Sequence, residues 1–284
     1  MKKLITFTII TLLFTSCSSD DNPIIPANDD DKFLTKIVQT TYNKGELDEK
    51  IVFTYKNNKP LKILFYNLKD ELMGYTDYLY NDKELLAEIK HYLPNGTLQN
   101  ESLLTYDSKN RIIQRNGSEE EGEYLSVDRF THNNDNTIIV NSTSGTKNYT
   151  KTKTYHINSD GLIYKETIDG ETATEVIYDG NNPTSIITKY STTIFTYDES
   201  NLPKGIFLNH SKNIFGENKI NPILWGYYLQ DQAGSNSDKF NIKSVSSNGD
   251  IEESKYTFDG DGYPVKMKSY YNEELKSEIK YFYE

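Results

Sequence analysis

Hydrophobic and polar residues alternate with a period of two over much of the chain. Ile51, Phe53 and Tyr55 fall on one face of such a run, and Leu61, Ile63 and Phe65 answer them after a polar break. Near the end, Tyr256 and Phe258 are followed by Val265 and Met267, then by Ile279, Tyr281 and Tyr283. This alternation marks strands with one buried face. Beyond residue 32 no segment shows a long, clean helical period.

The polar breaks themselves repeat. An aromatic closes a strand, Asp, Asn, Gly, Ser or Lys residues follow, and an apolar residue opens the next strand. The unit begins at Tyr55, Tyr80, Tyr106, Tyr155, Tyr178, Tyr197 and Phe258, with a weaker copy at Phe130. Successive anchors lie 25, 26, 24, 25, 23, 19 and 61 residues apart. The Asp or Asn after the aromatic can accept a hydrogen bond from the backbone two residues on, while Gly and Asn supply positive φ. A unit of about 25 residues holds two strands and two turns, hence one hairpin. Eight such units carry more strands than the ~10 an open sheet bears without curling or splitting. The pattern predicts an all-β domain: an antiparallel meander of hairpins in a long twisted, curled sheet. A two-sheet sandwich or a half-barrel in the same order is the alternative.

One stretch breaks the rhythm. The long step from Tyr197 to Phe258 contains an irregular insertion at about 209–250, with the single Trp of the chain. Phe215, Trp225, Tyr227 and Tyr228 make it aromatic, and Ile220, Ile223 and Leu224 make it apolar. Such rings stack on sugars and peptides, so these four aromatics are candidate ligand-binding residues. The competing reading, which we favour, is a plug that covers an open sheet edge or fills the curl of the sheet.

The front of the chain is of another kind. Met1-Lys2-Lys3 precedes an uncharged stretch from Leu4 to Ser16, which has the parts of a secretory signal peptide. It is too short to cross a bilayer core of ~30 Å. Residues 17–32 hold two prolines and Asp29-Asp30-Asp31 with no apolar period, and read as a disordered tether. A flexible segment of that length reaches on the order of 20 Å. The expected organisation is a signal peptide over 1–16, an acidic tether over 17–32 and one β domain over 33–284.

Composition narrows the partners. With 31 basic and 42 acidic residues the formal net charge is -11, and removing residues 1–16 takes two lysines and no acid, leaving -13. That sign repels nucleic acid and anionic lipid, and no run of Lys or Arg along the sequence offsets it. Nucleic acid is therefore not expected as a partner. Cys17 is the only cysteine, so the β domain has neither a disulfide nor a thiol nucleophile.

The search for chemistry is thin. Gly-x-Ser-x-Gly, the phosphate loop and His-Glu-x-x-His are all absent. His91, His132, His156 and His210 are scattered; only His132 and His156, in neighbouring units, are placed to approach each other. Asp259-Gly-Asp261-Gly-Tyr263-Pro264 hints at calcium, but its spacing fails as an EF-hand loop and fits a hairpin turn better. Glu119-Glu120-Glu121 with Glu123 reads as a solvated loop rather than paired catalytic carboxylates. No enzyme activity, cofactor or metal is expected.

Two resemblances add to this reading. Leu13-Phe14-Thr15-Ser16-Cys17 resembles the lipobox of bacterial lipoproteins, which implies acylation of Cys17 and attachment to a membrane through that lipid. Ser18-Ser19-Asp20-Asp21 resembles the signal that sends Bacteroidetes lipoproteins to the outer face of the outer membrane. The Tyr-Asp turns resemble the YD repeats of Rhs-type proteins, and with the lipobox the chain looks most like the YD-repeat-like lipoproteins of Bacteroidetes, whose function is unknown. The resemblance implies a lipid-anchored, surface-exposed, non-enzymatic module that meets an envelope protein or assists envelope assembly. A glycan- or nutrient-binding protein using the insertion is the second reading, and a hydrolase the third.

Overall fold

Alternation along the chain becomes strands, and eighteen of them pair antiparallel in chain order. The computed structural model describes residues 32–56, 59–119, 123–145, 149–180, 182–197 and 241–284. The first nine strands are β1 (Leu34–Asn43), β2 (Glu46–Lys56), β3 (Lys59–Tyr66), β4 (Leu72–Tyr80), β5 (Leu86–Tyr92), β6 (Leu98–Tyr106), β7 (Ile112–Glu119), β8 (Glu123–His132) and β9 (Thr137–Ser144). The rest are β10 (Tyr149–Ile157), β11 (Ile163–Ile168), β12 (Glu171–Asp179), β13 (Asn182–Thr188), β14 (Thr192–Tyr197), β15 (Asn241–Ser246), β16 (Ile251–Phe258), β17 (Pro264–Tyr271) and β18 (Glu274–Tyr283).

The sheet is closed, not the open curled sheet that the repeats suggest. β1 pairs with both β2 and β18, with Ile37 opposite Phe53 on one side and Tyr281 on the other. Beyond the strands, the Phe33 and Glu284 backbones exchange two hydrogen bonds of 3.1 and 3.0 Å. Closure removes both sheet edges, and with them the exposed row of unpaired amides that an open meander would leave. The result is a closed antiparallel β-barrel.

Even-numbered strands end, and odd-numbered strands begin, at one rim of the ring, here the first rim. β1 starts there and β18 ends there. The first-rim turns are built as the sequence suggests, but more tightly. Asp107 Oδ1 accepts the amides of Lys109 and Arg111, both at 2.9 Å. Asn81, Asn158 and Asp259 do the same for the residues two and four positions on. The fourth turn residue takes positive φ. It is Asn110, Gly161 or Gly262, as expected of Asn and Gly, but also Glu84 at φ 61°.

A bulge precedes the anchor aromatic at most first-rim turns, so pairing slips there by one residue. Tyr55 therefore faces Pro60, and Leu61, which alternation alone assigns to the inner face, is 40% exposed. A recurring bond spans the open end of the hairpins that turn at the second rim. Tyr80 Oη donates to Pro60 O, Tyr106 Oη to Leu86 O and Tyr283 Oη to Pro264 O, each at 2.8 Å. Tyr178 and Tyr197 clamp Ile163 O and Pro183 O in the same way. In the weak copy the clamp is not Phe130 but His132, whose Nε2 lies 2.7 Å from Ile112 O. To donate there, Nε2 carries the ring proton.

The buried residues gather toward this rim. Leu86, Ile112, Ile138 and Ile163 at strand starts meet Phe130 and Phe195 near strand ends. Leu86 and Ile163 are 1% and 0% exposed. Leu34, Ile37 and Tyr281 form a second cluster at the β1–β18 seam. Desolvation raises the Tyr106, Tyr155 and Tyr281 hydroxyls well above their ordinary values and keeps them neutral.

Candidate functional site

Residues in register share a face of the sheet, so the buried positions define the inner face and their neighbours the outer wall. On the inner face the apolar layer gives way to charge on β7, β8, β10 and β11. Arg115 and Asp128 are directly opposite each other and pair at 2.9 Å. Lys153 Nζ lies 2.9 Å from Glu166 Oε1, and Tyr155 donates to the same carboxylate. Glu166 is buried although charged. Its Oε1 meets the ammonium as a charge, out of line for a hydrogen bond. Arg115 Nε is also buried without a hydrogen-bond partner.

Each carboxylate of this cluster is matched by one cation. Burying either charge alone would cost several kcal/mol, and the pairs offset that cost only while both partners stay. The arrangement leaves no carboxylate poised as a free acid or base, and it pins the register of four strands. On the same face Thr76 Oγ1 and His91 Nδ1 lie 2.6 Å apart, and burial lowers the affinity of that imidazole for a proton.

The acidic turn at Asp259 holds a cation of the chain's own. Lys32 Nζ lies 2.8 Å from Asp259 and 2.6 Å from Asp261, and sits over the Tyr263 ring at 5.3 Å. Hydrogen bonds to the two carboxylates favour the charged ammonium. The turn reading of this segment holds: Asp259 accepts the amides of Asp261 and Tyr263. His132 and His156 do not meet as a pair. His132 clamps Ile112 from the inner face, while His156 lies on the outer wall 6.1 Å from the Tyr164 ring. Among the described residues no group of three or more His, Cys, Asp or Glu could hold a metal.

The outer wall carries apolar as well as charged rows: Lys280, Val38, Val52, Leu64, Tyr75 and Tyr92 are in register across β18 to β5. One register row runs Phe282, Lys36, Thr54, Lys62, Asp77, Lys90 and Glu101 across seven neighbouring strands from β18 to β6. Lys62 pairs with Asp77 at 2.9 Å and Lys165 with Glu175 at 3.4 Å. Around the β1–β18 seam the balance tips. Lys266 faces Lys280, and Lys268 faces Glu278, the one acid of the β17 and β18 outer rows paired with β1. Lys266 and Lys280 both lean on Glu278, at 2.8 and 3.6 Å. Lys36 Nζ lies 4.5 Å above the Phe282 ring. The linear sequence shows no basic cluster; closure assembles one from positions more than 220 residues apart. Its only signal in the sequence is the alternation of Lys266, Lys268, Lys276 and Lys280 along two strands.

The residues singled out for lipidation and ligand capture, Cys17, Phe215, Trp225, Tyr227 and Tyr228, lie outside the described residues. So do residues 120–122 of the acidic loop. No helix among the described residues is long and apolar enough to cross a membrane, which leaves strands untested.

No family model matches the chain, and no curated protein matches it. Among solved structures it is similar to a porin-like protein from Bacteroides uniformis, at 11% identity and a TM-score of 0.31, over 88% of this chain and 96% of that one. It is also similar to TcdB2-TccC3-TEV, at 10% identity and a TM-score of 0.24, over 84% of this chain but 14% of that one. Likeness at these scores carries no argument about activity or place.

Proposed function

We propose that this chain is a lipid-anchored envelope protein whose closed β ring stands in water and serves as a non-enzymatic interaction module. The observation that carries the reading is the outer wall. A barrel that crosses a bilayer presents an apolar band to lipid, and each Lys or Arg at the midplane costs about 2–4 kcal/mol. Here Lys36, Lys62, Asp77, Lys90 and Glu101 follow one another around a single row of that wall. The charges on that row, together with an interior packed with apolar side chains, favour a ring outside the bilayer, which leaves attachment to the acylated Cys17. The matched interior charges supply register rather than catalysis. The Ser-Ser-Asp-Asp that follows the cysteine supports delivery to the outer face of the outer membrane.

Metabolic labelling with a clickable fatty acid tests the anchor. The wild-type chain is expected to take the label and sediment with membranes, and Cys17→Ser to do neither. Equal labelling of the two ends this reading.

A further inference from the structure

We infer that the basic face at the β1–β18 seam docks the ring against an anionic, phosphate-bearing membrane surface; this rests on the proposed lipidation of Cys17. Lys36, Lys266, Lys268 and Lys280 lie on three outer rows of three adjacent strands, β17, β18 and β1, around one carboxylate, Glu278. Lys266 and Lys280 are 36% and 56% exposed. Val38 and Val52 lie between them and the next lysines, Lys50 and Lys62, on the same wall. Phe33 and Phe282 are 47% and 41% exposed at the first-rim end of the seam. Lysines around a few apolar side chains are the composition of surfaces that settle on headgroups. In a chain with a net charge of -11, a face with this excess of lysine has a clear sign contrast with the rest.

The position of the face argues for the membrane as its occupant. The tether enters the fold at Lys32, which is clasped by Asp259 and Asp261 one turn from the same seam. Fourteen residues separate Lys32 from Cys17. A coil of that length spans on the order of 20 Å, enough for the seam to reach the surface that holds the lipid. Within a Debye length of an anionic surface a lysine contributes about 1 kcal/mol, or roughly fivefold in binding.

The test uses residues 17–284 with Cys17→Ser, so that no acyl chain contributes, and vesicles of phosphatidylcholine with or without about a third phosphatidylglycerol. The chain is expected to sediment with the anionic vesicles only, and to be released by high salt. Lys266→Ser with Lys280→Ser should lower the partition roughly 25-fold. Arg129→Ser with Lys165→Ser, on the far arc of the ring, should leave it unchanged. Matching circular dichroism melts confirm that both variants fold. Absence of binding to anionic vesicles, equal binding to neutral ones, or equal loss in the far-arc variant overturns the inference. So does equal capture by a DNA duplex. Fatty-acid labelling of the wild-type chain reports on the anchor separately: a labelled protein without the vesicle preference loses the docking face and keeps the lipid.

Discussion

Removing one hydroxyl from the tyrosine clamp should cost measurable stability, although the ring of the residue stays. Tyr106 Oη donates to Leu86 O at 2.8 Å, where β5 and β6 separate and Leu86 is 1% exposed. In Tyr106→Phe the aromatic packing survives and the hydrogen bond goes. A net intramolecular hydrogen bond contributes about 0.5–1.5 kcal/mol, and a buried carbonyl left without a partner costs about 1–3. The expected loss is therefore about 1–2 kcal/mol. For a domain of this size that lowers the melting temperature by roughly 2–8 °C. The control is Tyr190→Phe, because Tyr190 is 84% exposed and has no such bond to lose. Urea unfolding of the two variants beside wild type gives the answer. Tyr283→Phe, which removes the bond to Pro264 O, should behave like Tyr106→Phe, and the two losses should add, since β17–β18 shares no partner with β5–β6. If Tyr106→Phe unfolds at the same urea concentration as Tyr190→Phe, the clamp contributes nothing and the reasoning fails.

Other outcomes follow from the same structure. Burial raises the hydroxyls of Tyr80, Tyr155 and Tyr281 far above the ordinary tyrosine value, so the folded state keeps protons that the unfolded chain releases above pH ~10. Stability is thus intact below pH ~10 and falls above it by about 1.4 kcal/mol per pH unit for each residue, or about 4 for the three. Urea midpoints should hold from pH ~9 to ~10 and fall from pH ~10 to ~11.5, and a midpoint unchanged over that second interval would argue against it. Arg115→Met should cost about 3 kcal/mol by stranding Asp128, and adding Asp128→Leu should recover most of it; a double variant no better than the single would count against the pair. Gly262 holds φ 83° with open space where a Cβ would stand, so Gly262→Ala should lose about 1–2 kcal/mol through backbone strain alone and Gly262→Asn less, both read by thermal melting.

The strands were legible because alternation reports a buried face directly, and register bears it out: Ile51 faces Phe65 and Phe53 faces Ile63. The turns were legible because an Asx side chain acts within five residues of its own position. What escaped was whatever depends on the partner strand. The bulge beside each anchor is a property of the pair, so Pro60 takes the place that alternation gives to Leu61. His132 was passed over as a clamp because the motif asks for an aromatic followed by Asp, and Phe130 stands two residues earlier as a decoy. The interior ion pairs join residues that alternation marks only as polar, as Arg115 and Asp128 do. Closure joins Leu34 to Tyr283, and nothing local in either strand states its partner. The basic seam was hidden for the same reason, since it exists only once β18 lies beside β1.

Closure is the claim on which the β1–β18 seam and its basic face depend, and a cross-strand disulfide tests it most directly. Thr40 and Glu278 face each other across β1 and β18 on the outer wall. In a Cys17→Ser background, Thr40→Cys with Glu278→Cys places two thiols within the few ångströms a disulfide requires. In an open sheet of the same eighteen strands the two positions would lie at opposite edges, about 80 Å apart. Mild oxidation of dilute protein, followed by non-reducing electrophoresis and thiol counting, reads the difference. The closed ring predicts rapid, complete formation of an intramolecular bond without loss of the β spectrum. Thiols that stay free, or that link one chain to another, would contradict it.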